Sequence, residues 1–251
     1  MIKFFRKIRQ NLIMENKTGK YFKYALGEII LVVIGILIAI WINSTYNDYK
    51  EKEVETTILK KLITDLESDY NQLKVADSIN QEYLEKIRTF KNAIVKNNEV
   101  VLKEMISQQY GGAQFLGINP RATTFDEMIN SGKLYTLSNA ELTDFCIDYY
   151  ELIDTYSNSL SQIRGEYRAL FFGPNMTDYW LTYLEETKDK DAYVDRFIEN
   201  KQSTAYKTLK QGTGWGELIM QGTDERIKQI KQSNRNLYNL IAEEITKKSN
   251  D

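Results

Sequence analysis

Residues 24–42 read YALGEIILVVIGILIAIWI, nineteen residues with a single charge, Glu28. As a helix this stretch rises about 28 Å, which matches the hydrocarbon core of a bilayer. Its eleven Ile, Leu and Val residues between Ile29 and Ile42 favour insertion by roughly 0.3–0.6 kcal/mol each. A carboxylate costs about 3 kcal/mol at the centre of the membrane and less near an end. Glu28 stands close to the start of the run, so insertion wins. The core helix of a soluble protein is seldom apolar on all sides for this length. A cleaved signal peptide has a shorter apolar region and a small-residue cleavage site, whereas here Ile40, Trp41 and Ile42 lead into Asn43. The segment is expected to remain as an anchor.

The flanks of this stretch fix an orientation. Residues 1–23 hold seven Lys and Arg side chains against Glu15 alone, while residues 43–251 hold 33 acidic against 26 basic ones. The positive flank stays on the cytoplasmic side. The expected division is a basic segment 1–23 in the cytoplasm, a transmembrane anchor 24–42 in the inner membrane, and a periplasmic domain 43–251. Trp41 and Tyr46 suit the outer interface, Tyr21 and Tyr24 the inner one. On a helical wheel of residues 1–13, Met1, Phe4, Phe5, Ile8 and Leu12 gather opposite Lys3, Arg6, Lys7 and Gln10. Such a helix lies in the interface with its cations towards anionic headgroups, which assigns Lys3, Phe4, Phe5, Arg6, Lys7, Ile8 and Arg9 to the membrane surface. Glu28 is read either as a snorkelling acid near Lys20 and Lys23 or as an intramembrane polar group that pairs with a partner's cation. Gly27 and Gly35 are eight apart with no GxxxG, a weak dimerisation signal.

Beyond the anchor the pattern is helical throughout. Only two prolines and 13 glycines interrupt the chain, which argues against a sandwich built on tight turns. Leu59, Leu66, Leu73, Asn80, Ile87 and Ile94 recur every seven residues, with Leu62, Ala76, Tyr83 and Phe90 between them. Asp69 breaks the second row, with Tyr70 as its stand-in. This predicts a helix of some 36–45 residues with a coiled-coil-like seam. The partner of that seam is another copy of the chain or, on the weaker alternation of flanking charges, later helices of the same domain. Asn80 then needs a polar partner, and Asn234, Asn236 and Asn239 are candidates.

Asn98 is a cap for a short helix that stops at Gly111-Gly112, and residues 113–123 read as a loop. Thr124 to Glu127 and Ser138 to Glu141 match capping boxes, with Gly132 closing the helix begun by the first. Residues 139–172 place Leu142, Phe145, Cys146, Tyr149, Leu152, Ile153, Tyr156, Leu160, Ile163, Tyr167 and Phe171 in one arc, with Glu141, Asp144, Asp148, Glu151 and Asp154 opposite. Gly173-Pro174 ends that helix. Short helices are expected over 175–186 and 190–211, then a last one from about 216 to 248 with Leu218, Ile227, Ile230, Leu237, Leu240, Ile241 and Ile245 on its apolar side. Gly212-Thr213-Gly214-Trp215-Gly216 lacks both a preceding strand and the spacing of a phosphate loop, and reads as a flexible joint. The fold class is therefore all-α, a transmembrane helix followed by a periplasmic helical bundle with one long coiled-coil-like helix.

The residue inventory bounds the chemistry. The sequence has no histidine and one cysteine, which removes the commonest general base, the commonest zinc ligand and any internal disulfide. No catalytic, cofactor-binding or metal-binding residue is assigned and no cofactor is expected. The acidic stripe Glu141, Asp144, Asp148, Glu151, Asp154 is a solvated face or, less readily, a surface for a basic partner or a divalent ion. Cys146 reads as a small buried hydrophobe. An acidic domain repels a phosphate backbone, so nucleic acid is excluded as a partner. The expected partners are membrane lipid and a protein, with self-association weak. A non-catalytic scaffold or protein-interaction module is the first reading. The alternative is a sensory or ligand-binding bundle that signals through a partner, since 23 cytoplasmic residues hold no signalling domain.

MIKFFRKIRQ at the start, GKYFKYALGEI from Gly19 and LVVIGILIA from Leu31 resemble a family of Gram-negative bacterial membrane proteins grouped under a domain of unknown function. TTFDEMINSGKL from Thr123, then Ser138-Asn139-Ala140-Glu141-Leu142 and Tyr149-Tyr150, resemble the later part of that family. The resemblance implies an inner-membrane protein and brings no catalytic or binding residue with it.

Overall fold

The computed structural model describes residues 18–107, 118–184 and 190–250. Lys3, Phe4, Phe5, Arg6, Lys7, Ile8 and Arg9 lie outside the described residues, as do Gly111-Gly112, residues 113–117 of the expected 113–123 loop, and the side chains of Tyr21 and Tyr24. The described chain is helical, without a strand among its residues. Seven α-helices follow one another: α1 Thr18–Val95, α2 Glu99–Ser107, α3 Thr123–Asn130, α4 Ala140–Phe172, α5 Thr177–Leu184, α6 Lys190–Glu199 and α7 Thr204–Asn250. The chain divides into two compact units, Met1–Thr57 and Ile58–Asp251.

α1 runs unbroken for 78 residues, longer than the 36–45 read from the seam, because neither proline of the sequence falls within it and the apolar stretch continues into the seam without a break. Thr45, Thr56, Thr57, Thr64 and Thr89 each turn their hydroxyl back to the carbonyl four residues earlier, which satisfies a polar side chain within the helix. Its end is an asparagine version of the αL stop. Asn97 takes φ 53°, and the Asn98 amide donates to the Ala93 carbonyl at 2.9 Å. Asn98 then accepts the Val101 amide at 3.3 Å, so one residue closes α1 and caps α2.

In the second unit, α1 from Ile58 onward, α4 and α7 form a three-helix bundle. α7 runs antiparallel to α1: Asn234 bonds the Leu66 carbonyl and Met220 accepts from Asn80. α4 runs parallel to α1, since Tyr149 meets Asp69 and Tyr167 shares the space over Gly216 with Ile87. The seam of α1 is therefore filled from within the chain. Leu59, Leu62, Leu66 and Leu73 are fully buried with Leu142, Tyr149, Ile230, Leu237 and Ile241, and each such aliphatic burial is worth about 1.5–3 kcal/mol. A second core at the other end joins Phe90 and Ile94 to α2, to Tyr167 and Phe171 of α4, and to α5, α6 and the start of α7.

Several local expectations are corrected. Asp69 does not break the seam; it is fully buried within it, and Tyr70 is half-exposed. The partner of Asn80 is the Met220 carbonyl at 3.1 Å, not a second asparagine. The N-cap of α3 is Ala122, without a side-chain bond, because the Thr124 hydroxyl is spent on Asp65. The cap of α4 is Asn139, whose side chain accepts the Glu141 amide at 3.1 Å. Ser138 instead meets Glu244 and Lys248 at the end of α7. Gly132 ends α3 with φ 72° as expected.

The glycine-rich run 212–216 is helix, not a joint. A Cβ on Gly212 would stand within 3.0 Å of the Phe171 ring, and one on Gly216 within 3.0 Å of Ile87 and Tyr167. At Gly212 and Gly216 the α7 backbone lies close against side chains of α4 and α1. The true break lies at residues 200–203, between α6 and α7. Leu218 is 66% exposed rather than part of the apolar side. The buried seam of α7 includes Leu209, Met220, Ile227, Ile230, Leu237 and Ile241, with Asn234 in register.

Candidate functional site

Three surfaces and one buried cluster carry the chemistry of the described residues. The first surface is the apolar segment of α1. From Ile29 to Ile42 its large side chains are each 47–68% exposed, with none of the apolar window buried within the protein. A core helix would be covered, so this stretch is long, apolar and bare, as a membrane span requires. Glu28 is half-buried at its start. Nothing stands within 4 Å of a Cβ placed on Gly27 or Gly35.

The buried cluster lies where α1, α4 and α7 meet. Asp69 accepts the Arg121 amide at 2.8 Å and the Tyr149 hydroxyl at 3.1 Å. Asn234 donates to the Tyr149 oxygen and to the Leu66 carbonyl, both at 3.0 Å. One turn before Asp69, Asp65 accepts the Thr124 amide at 3.3 Å and its hydroxyl at 2.5 Å. Tyr150 stacks on Phe125 at 4.2 Å and donates to the Arg121 carbonyl at 3.3 Å. Two carboxylates of one helix thus hold residues 121–125 against the bundle, and Asp65 also meets the positive end of α3. Burial raises the Asp69 carboxyl above its ordinary value, partly offset by the Arg121 amide and the Tyr149 hydroxyl. Burial likewise raises Tyr149 and Tyr150, so both phenols stay protonated and donate. The Cys146 thiol is pushed up to about 12 by burial, which leaves no thiolate to act as a nucleophile. Asp69, Tyr149 and Asn234 are at 0% exposure, so the cluster is sealed within the bundle.

This cluster was not assigned from the sequence. Its signal was present in two polar residues interrupting apolar rows, Asp69 in α1 and Asn234 in α7. The acidic stripe is a separate feature. Glu141, Asp144, Asp148, Glu151 and Asp154 are all exposed along α4, and the structure brings no further ligand to them. No group of three or more acidic or cysteine side chains placed to hold a metal ion occurs among the described residues.

The third surface is a groove of about 640 Å³ between α1 and α7, lined by Lys91, Lys207, Lys210, Gly214, Trp215 and Leu218 among others. Glu217, on its edge, binds Arg88 at 3.2 Å and Lys91 at 2.5 Å. Those two cations hold its carboxyl below the ordinary value, Lys91 foremost.

A family model described as a family of unknown function, DUF6090, matches residues 28–164, more than half of the chain. The chain belongs to this family. The DUF6090 match spans the apolar stretch from Glu28, the part of α1 that follows it, Asp65, Asp69 and Tyr149 of the cluster, and most of α4. The quoted opening of the chain, Asn234 and the α7 side of the groove lie outside it. No curated protein and no solved structure matches the chain.

Proposed function

We propose that this DUF6090 protein is a single-pass inner-membrane protein whose helical bundle is a non-catalytic scaffold or protein-interaction module in the periplasm. The observation that carries the reading is the bare apolar stretch Ile29–Ile42 behind a flank of seven cations, the charge bias that keeps an N-terminus in the cytoplasm. The absence of histidine from the sequence and the sealed state of the Asp69 cluster support a binding role over a reaction. Membrane lipid and a protein are its partners. Nucleic acid is not, given the acidic excess of residues 43–251. Self-association is weak, because the α1 seam is filled by α4 and α7.

C-terminal fusions test the placement. An alkaline phosphatase fusion is expected to be active and a fusion reporting only from the cytoplasm silent, and the reverse result overturns it. Photo-crosslinkers at exposed bundle positions in intact membranes test the role. Reproducible protein adducts are expected, and a chain that forms none at any position refutes it.

A further inference from the structure

The groove between α1 and α7 joins an apolar floor to a basic rim. Trp215 and Leu218 are 46% and 66% exposed, three residues apart on one helix. Beside them, one residue before Trp215 and one turn before Leu218, nothing stands within 4 Å of a Cβ placed on Gly214, so the floor there is open backbone. Lys207 and Lys210 are exposed and form no ion pair among the described residues, while Glu217 fixes Lys91 at the opposite rim. This basic rim belongs to a region with a net acidic composition.

We propose that the groove docks an acidic peptide segment of a partner protein, with one bulky apolar side chain seated over Gly214 against Trp215 and Leu218 and carboxylates paired with Lys207 and Lys210. This rests on the interaction-module reading and adds the place and chemistry of the contact. Charge complementarity selects an anion, and the exposed Trp215 and Leu218 select one that carries apolar surface, since an aromatic anchor in a groove dominates recognition. A free inorganic anion leaves that apolar floor uncovered. A bilayer surface is flat, whereas these groups line a concavity. A second copy offers the acidic stripe of α4, but the Asp69–Tyr149 contact sets that stripe level with residues 61–74 of α1. The groove is level with Lys91, about 35 Å further along the bundle. That stripe consists of carboxylates, Glu141, Asp144, Asp148, Glu151 and Asp154, and supplies no bulky apolar side chain to cover Trp215 and Leu218.

The test uses the full chain in phosphatidylcholine nanodiscs and a short labelled peptide alternating pairs of Glu with Leu or Phe, read by fluorescence anisotropy. Saturable binding is expected, weakened about tenfold or more by Trp215→Ala and similarly by Lys207→Glu with Lys210→Glu. Asp144→Asn with Asp148→Asn leaves it unchanged. All these side chains are exposed, and circular dichroism checks that the variants fold. Lack of saturable binding, equal binding by the groove variants, or equal binding of a hexaglutamate chain overturns the proposal. So does lysine-dependent binding of inorganic phosphate or phosphatidylglycerol vesicles that the peptide fails to displace. Crosslinking that recovers a partner independently of Trp215 and the two lysines leaves the interaction-module reading standing and removes the groove from it.

Discussion

Three glycines of α7 have environments that differ enough to reverse the sign of the same substitution. Gly214 and Gly222 have nothing within 4 Å of an added Cβ, whereas the Cβ of an alanine at Gly212 falls within 3.0 Å of two Phe171 ring carbons. An alanine inside an exposed helix is worth about 0.8–1 kcal/mol over glycine. Gly214→Ala and Gly222→Ala are therefore each expected to stabilise the bundle by about that amount. Gly212→Ala gains the same propensity but forces the ring of Phe171, itself 2% exposed and packed on Tyr167 at 4.7 Å. Overpacking of this kind costs about 1–3 kcal/mol, so the net is a destabilisation of roughly 1 kcal/mol. Urea unfolding of the full chain in micelles, followed by circular dichroism, reads the order directly. With m values of about 1–3 kcal/mol/M, Gly214→Ala moves the midpoint up by roughly 0.3–1 M. A flexible joint at 212–216 gives a different result, since there alanine has no helix to favour. If Gly214→Ala lowers the midpoint, or Gly212→Ala and Gly214→Ala shift it in the same direction, the continuous close-packed α7 is wrong.

Asp69 binds its proton more tightly folded than unfolded, so its contribution to stability is greatest at low pH and declines as the pH rises from its ordinary value near 3.8 through the folded one. The stability of the wild type relative to Asp69→Asn should fall across that window, by at most about 1.4 kcal/mol per pH unit; a gap independent of pH refutes the assignment. Cys146, fully buried with its thiol near 12, should resist iodoacetamide at pH 8 until urea unfolds the bundle, and rapid labelling of the native chain contradicts its packing. Residues 50–251 should sediment as a monomer at micromolar concentration. Leu66→Ser with Leu73→Ser should cost helicity, because both side chains face the chain's own core and each truncation removes about 2–5 kcal/mol. A stable dimer that these changes dissociate without loss of helicity would mean a coiled-coil stalk.

What was legible in the sequence was whatever depends on a residue and its neighbours one or two turns away. The heptads of α1, the arc of α4 and its stop at Gly173-Pro174 follow from local spacing, and the helices stand there. Partners far along the chain are a different matter. Asp69 looked like a fault in a row of apolar residues because the Tyr149 hydroxyl and the Arg121 amide that satisfy it lie 80 and 52 residues away. Thr124 and Ser138 looked like caps because the Asp65 and Glu244 that claim their hydroxyls lie 59 and 106 residues away. The glycines at 212–216 looked like a joint because propensity treats glycine as a weakness, while the Phe171 ring they admit is out of local view. The groove was missed for a similar reason: Leu218 fits an apolar row by spacing, and only the packed bundle shows that it faces out.

The order in which the bundle's helices occur along the chain has a consequence for biogenesis. The α1 contacts with Asn234 and Met220 span 168 and 140 residues, so the face of α1 that α7 covers is synthesised long before α7 exists. At about 5–20 residues per second, the more than one hundred residues from Val95 to Thr204 take roughly 5–20 s to make. During that interval a leucine-rich ridge of α1 has only α4 and the residues around α3 to shelter it. Chain-termination mutants that stop before α7 should therefore be cleared by quality-control proteases, even though they retain the apolar stretch and the entire family-matched region.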